Sequence, residues 1–147
     1  MANLYDAIDL LWDCTNGDFI VSHSGDLADT SQDALEAVLQ DVYTRVKSDR
    51  GDWSESPLIG ASLSDFAGEP NTQRTGTSIQ QRVINTLLSY GTISGSDITV
   101  DVFPISKEKV MVEVSLRVSP SVRNKGSRVL KKTFVYSFVE NNVYPRG

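Results

Sequence analysis

The chain has 147 residues, of which 39% are hydrophobic and 22% charged, with a net charge of −5 and one cysteine, Cys14. That length buries a modest core as a single domain, the composition excludes a disordered chain, and a lone cysteine excludes a fold stapled by internal disulfides. No stretch approaches the roughly 18 apolar residues of a membrane span, and Met1 to Leu11 has neither the basic region nor the apolar run of a signal peptide, so a soluble cytoplasmic product is expected.

Charge is unevenly placed along the chain. Residues 1–70 hold 14 acids against 3 bases, net −11, and residues 71–147 hold 5 acids against 11 bases, net +6. Such a split steers encounters without setting the fold. It fits two compensating solvated faces, or a protein that meets different partners at its two ends.

Leu4, Ile8 and Leu11 have helix-compatible spacing in a short N-terminal arm. Asn16-Gly17, between Trp12 and Phe19-Ile20-Val21, then predicts a β-hairpin within residues 1–22, because Asn-Gly adopts the positive φ angles of a type I′ turn. His23 with Asp26 and Asp29 reads as turn chemistry; one imidazole and two carboxylates fall short of a structural metal site. Asp29, Thr30 and Ser31 offer helix caps, with Asp33 in the first turn. Leu35, Val38, Leu39, Val42 and Val46 recur at three and four, predicting a helix that Gly51 ends, with Arg45, Lys47 and Arg50 near its terminal carbonyls.

A connector, 49–70, follows. Trp53 is expected to be partly buried as its anchor, Pro57 keeps Ser56 extended, Gly60 permits a tight turn, and Ser62 caps a short turn carrying Leu63 and Phe66. Glu55 and Glu69 have no spacing that supports paired acid and base roles. Thr72 to Ser78 leads into a second helix carrying Ile79, Val83, Ile84, Leu87 and Leu88.

After a Gly/Ser-rich break at 89–96 the period switches from 3.6 to 2. Ile98, Val100 and Val102 form one strand, and Val110, Val112, Val114, Leu116 and Val118 form one face of a second. A third strand is predicted over 128–139, with Phe134, Tyr136 and Phe138 on one face and Thr133, Val135 and Val139 on the other. The tail, 140–147, is expected to lie open. The resulting expectation is one α+β domain, with two main helices packed on a small antiparallel sheet and an N-terminal β-hairpin. Its parts are the arm and hairpin (1–22), the helical part (29–89), the strands (97–139) and the tail.

Arg117, Arg123, Lys125, Arg128, Lys131 and Lys132 follow one another without an intervening acid. This basic hairpin, 117–132, reads as a nucleic-acid footprint, as a charge-guarded strand edge, or as an edge that pairs with an acidic strand. A pI of 4.8 and the absence of the usual RNA-binding aromatics weigh against the first. No nucleophile elbow, phosphate loop or metal-spaced set stands in the sequence, so no catalytic residue, cofactor or metal is expected.

The order Gly25-Asp26-Leu27, Gln40-Asp41-Val42, Arg45-Val46, Gly51-Asp52-Trp53, Pro57 and Gly60, then a helix and the strands 98–102 and 110–118, resembles a known family. It is similar to the baseplate wedge or sheath-initiator family of contractile-tailed bacteriophages, also labelled lysozyme-like or baseplate assembly protein W, over roughly residues 17 to 118. Where many members carry Glu-Pro-Arg between the second helix and the sheet, this chain reads Tyr90-Gly91-Thr92-Ile93-Ser94-Gly95. The resemblance implies a structural protein of the virion tail baseplate, present in multiple symmetric copies and assembled in the host cytoplasm. Its implied partners are the tail sheath protein, wedge proteins, and tail tube or hub proteins, with no nucleic acid and no membrane. The expected contact is β-augmentation of an edge strand at Arg128, Lys131, Lys132, Thr133, Phe134, Val135 and Tyr136, with Lys131, Lys132 and the basic loop carrying Arg123 and Lys125 selecting an acidic partner. Gly51, Asp52, Trp53, Pro57 and Gly60 are expected to form the structural connector.

Overall fold

The structure, a computed structural model, describes residues 10–13, 18–29, 34–89, 97–118 and 128–146. Two short strands, β1 (Trp12–Asp13) and β2 (Asp18–Phe19), precede helix α1 (Ala34–Lys47). A 3-10 turn (Leu63–Phe66) and helix α2 (Gln73–Leu88) follow. Then come β3 (Ile98–Pro104), β4 (Lys109–Val118), β5 (Arg128–Ser137) and β6 (Asn142–Arg146), one antiparallel sheet in the order β3-β4-β5-β6. The fold is therefore mixed α+β.

The period-2 pattern of β4 explains the core. Val110, Val112, Val114 and Leu116 are all buried, and cross-strand partners share their face: Val100, Phe134, Tyr136 and Val143. Helix α1 contributes Val38, Val42, Tyr43 and Val46, and α2 contributes Ile79, Val83 and Leu87. The Tyr43 ring lies 5.9 Å from that of Phe134, joining α1 to the sheet. Each fully buried aliphatic or aromatic side chain is worth about 1.5–3 kcal/mol over an exposed one, so this cluster carries the fold.

Several boundaries differ from expectation. Helix α2 begins at Gln73, inside the expected lead-in, because Thr72 Oγ1 accepts the N–H of Thr75 at 3.2 Å. Gly51 does not stop α1, which ends at Lys47. With φ +95° Gly51 instead sits in a connector turn, where Asp52 N–H donates to Asp49 O and Gly51 N–H donates to Pro57 O. Ser62 occupies the N-cap position of the 3-10 turn, yet its hydroxyl accepts from Arg50 N–H rather than capping.

The tail is not open. Residues 142–146 form β6, driven by burial of Val143 and by Asn141, whose φ of 50° suits the turn that reverses the chain. The predicted strand 128–139 consequently ends at Ser137, and its Thr133–Ser137 half lies between β4 and β6 rather than at the edge of the sheet.

At the N-terminus β1 and β2 pair as Trp12↔Phe19 and Asp13↔Asp18, and bridges Leu10↔Asp29 and Val21↔Leu27 extend the arm. The Asn16-Gly17 turn and the caps Thr30, Ser31 and Asp33 lie outside the described residues. Gln40 Nε2 donates to Leu10 O, tying the arm to α1.

Candidate interaction surface

Strand β4 pairs with all ten residues of β5, whereas β6 pairs only with Thr133 to Ser137. Among the described residues no strand occupies the lane beside Arg128–Lys132. Neighbouring bonds show which backbone groups face it. Phe138 N–H donates to Glu108 O, and Ile105 N–H donates to Lys109 O. Because antiparallel ladders alternate, even-numbered residues of β5 aim their N–H and C=O at β4. Odd-numbered ones aim at β6, or, for Val129 and Lys131, into the empty lane.

The side chains at this half-edge take opposite faces. Lys131 lies on the outer face, where Nζ sits 3.2 Å from Glu113 Oε1. Lys131 is exposed and Glu113 partly so, and such a surface pair contributes about 0–1 kcal/mol. Lys132 pairs in register with buried Val114 and so lies on the core face of the sheet. An inward-facing charge on an unpaired edge opposes indiscriminate sheet extension. It also leaves an ammonium beside any strand that does add.

Six expected contact residues need correction or separation. Phe134 and Tyr136 are core residues, 0% and 1% exposed, because the even positions of β5 face the helices. Their side chains are closed to a partner. Thr133 and Val135 lie on the outer face, but β4 and β6 flank their backbones on both sides. Arg123 and Lys125 lie outside the described residues. What remains of the expected site is the backbone of Arg128–Lys132 with Lys131 and Lys132.

The other two edges are already managed. On β3 the same alternation turns Val100 outward, and Gln80 Nε2 donates to its carbonyl at 2.6 Å. On β6 it turns Pro145 outward, where the missing N–H removes a donor. Among the described residues the free half of β5 is thus the least guarded backbone of the sheet.

The outer face carries a second feature. Phe103, Met111, Val135 and Tyr144 are cross-strand neighbours and form an apolar row over all four strands. Phe103 and Tyr144 are 44% and 39% exposed. Lys131, Arg117 and Arg146 share this face, and Arg146 Nη1 contacts Met111 Sδ at 3.7 Å. Tyr144 Oη donates to Glu140 Oε2, a bond that raises the Tyr144 pKa.

The connector is bound throughout. Trp53 is about half exposed, and its Nε1 donates to Ser48 Oγ at 3.1 Å. Asp49 Oδ1 accepts from Ser64 Oγ, Asp52 Oδ2 accepts from Asp49 N–H, and Gly60 N–H donates to Thr86 Oγ1. Gly68 N–H donates to Phe138 O, fastening the connector to the β5–β6 turn. Glu55 and Glu69 are exposed, as are His23 and Asp26. Among the described residues no three metal-ligating side chains gather, and no helix is long and apolar enough to cross a membrane.

The chain matches no protein-family model, no curated protein and no solved structure. Its function is therefore argued from these surfaces. Sequence reasoning missed β6 and the outer apolar row. Val143 and Tyr144 after Asn141-Asn142 were the available signal, which Pro145 obscured.

Proposed function

We propose that this chain is a structural, non-catalytic subunit of a contractile-tail baseplate, joining the wedge to the tail and starting sheath assembly by β-augmentation. The unpaired half of β5 carries the reading. Val129 and Lys131 offer backbone donors and acceptors to an incoming strand, while Lys131 and Lys132 favour an acidic one. The acidic N-terminal half docks to wedge components, with β1 and β2 as arms of a hairpin closed at Asn16-Gly17. The family resemblance supplies the identity of the partners: sheath, wedge, and tube or hub proteins of the virion tail, in symmetric copies.

Co-purification with a contractile-tail sheath protein tests the reading. Lys131→Pro removes a lane-facing N–H without touching the β4 ladder, and is expected to abolish sheath capture. Undiminished capture by that variant would discard strand addition at this edge. Salt-sensitive binding of short DNA or RNA, with no sheath capture, would instead favour a nucleic-acid-binding module built on 117–132.

A further inference from the structure

The unpaired half of β5 restricts which strand can add beside it. Lys131 already has a carboxylate, with Glu113 Oε1 at 3.2 Å. Lys132 differs. It is half-buried on the core face, and among the described residues its ammonium has neither a hydrogen bond nor an ion pair. A charge withdrawn from water without a partner is costly, and an added strand withdraws this one further. Two positions along the same face, Leu130 is partly buried and packs against the core, so it offers an apolar edge. On the outer face Val129 is 66% exposed, opposite Arg117 of β4.

The ladder fixes how an incoming side chain meets each of these residues. Strand β6 fills the same lane over Thr133–Ser137 and places Arg146 opposite Thr133, so an added strand lies in line with β6, beyond Arg146. Towards this lane the odd-numbered residues of β5 make the hydrogen-bonded pairs. Leu130 and Lys132 therefore fall in the non-hydrogen-bonded ones, where facing side chains stand closest. Antiparallel pairing is the more stable per residue, which decides the direction on a lane as short as Arg128–Lys132.

We infer that the strand added at β5 runs antiparallel to it and carries a carboxylate opposite Lys132 and, two residues later, an apolar side chain opposite Leu130. From its N-terminus the occupant is acid, polar, apolar, apolar, with the polar residue opposite Lys131 and the last apolar one over Val129. The assignment rests on strand addition at this edge, and adds to it the face, the spacing and the direction. A slip of one residue turns the carboxylate to the outer face and leaves Lys132 unpaired.

Titration of the isotope-labelled full chain with capped peptides tests it, read from amide shifts and amide exchange at Val129 and Lys131. Three peptides share flanks and composition. Glu-Thr-Leu-Val has the assigned pattern, and its reverse, Val-Leu-Thr-Glu, meets the same side chains only as a parallel strand. Thr-Leu-Glu-Val in no register sets glutamate opposite Lys132 and leucine opposite Leu130 together. The first is expected to bind at least about tenfold tighter than the other two and to slow exchange of both amides. Replacing its glutamate by lysine, which leaves the chain untouched, is expected to weaken binding at least about tenfold. Lys132→Gln in the chain should shrink that difference to below about threefold, assigning it to this ammonium rather than to Lys131 or Arg146. Equal binding of all three peptides, with both amides protected, overturns the assignment and leaves strand addition standing. A preference for the reversed peptide, or a charge effect that survives Lys132→Gln, overturns it too. Failure of every peptide to protect Val129 and Lys131 removes strand addition at this edge along with it.

Discussion

Arg45 Nη1 donates to the carbonyl of Thr86 at 2.7 Å, and Thr86 Oγ1 accepts the N–H of Gly60 at 2.9 Å. One residue near the end of α2 therefore binds α1 on one side and the connector on the other. Arg45 also donates to Ser89 O and, through Nε, to Asp41 Oδ1, so a cation from α1 serves the terminal carbonyls of α2, adding a second donor at Thr86 O, which also accepts the N–H of Ser89.

Arg45 is 4% exposed, and its loss removes three charge-assisted bonds at once, one to a buried acceptor and two to partly buried ones. Arg45→Met keeps much of the apolar stem but none of the donors, and is expected to destabilise the fold by about 2–4 kcal/mol. Thr86→Val leaves Gly60 N–H without its acceptor and should cost about 1–3 kcal/mol. Urea denaturation measures both. A loss below about 0.5 kcal/mol for Arg45→Met, the scale of an ordinary surface change, would mean that the clamp is idle.

Gly60 and Gly51 separate steric need from backbone strain. Gly60 has φ +135°, and a β-carbon there would press on the Asp49 carbonyl and lie 2.6 Å from Arg50 N. At Gly51 φ is +95° with open space around it. Gly51→Ala is expected to cost about 1–2 kcal/mol in backbone strain. Gly60→Ala should cost more than about 3 kcal/mol, or prevent folding, since backbone must move as well. Equal thermal shifts for the two would contradict this account.

The types of α1, α2, β3, β4 and β5 were legible in the sequence because each rests on a local rule, whereas β6 was not. Apolar spacing marked α1 through Val38, Val42 and Val46, and strict alternation marked β4. The positions of the strands in the sheet were not legible. Whether Val135 lies at an edge depends on whether residues 142–146 pair beside it, and nothing near Val135 encodes that. Arg45 shows the same limit. Its place near the end of α1 suggested service to α1's own carbonyls, but it reaches α2, 41 residues away along the chain. Gly60 was expected to matter as a turn residue, and its close approach to Asp49 arises only when the connector folds back on α1. Part of the candidate site was legible as the basic character around Lys131 and Lys132; which side each takes follows from register alone.

Tyr136 gives the fold an alkaline limit. Burial, with smaller contributions from the charges of Asp49 and Asp65, pushes its pKa from 10.0 up to about 12. The neutral phenol is thus favoured in the folded state. Its stabilisation is complete below pH 10 and is lost as pH rises through about 12. Stability should fall by the order of 1–2 kcal/mol across that window. In Tyr136→Phe, which also loses the bond to Asn141 Oδ1, the same window should be flatter. An unchanged slope in chemical denaturation between pH 9 and pH 12, roughly spanning the two pKa values, would refute the assignment.

The ladder alternation predicts opposite outcomes for proline at two nearby positions of β5. Val135 faces Tyr144 of β6, so Val135→Pro removes a bond that holds β6 and Val143 in place. It is expected to cost about 3 kcal/mol or more and to release β6, seen as fast amide exchange over 142–146. Lys131 has the same parity, but its N–H points into the empty lane, so Lys131→Pro deletes no bond among the described residues. Its cost should stay near 1 kcal/mol, set by the narrower backbone angles of proline and the loss of the exposed pair with Glu113. The comparison depends on the register alone, so no partner protein is needed to read it. Were Lys131→Pro as damaging as Val135→Pro, the lane beside Arg128–Lys132 would be filled in the folded chain, and strand addition there would have no room to occur.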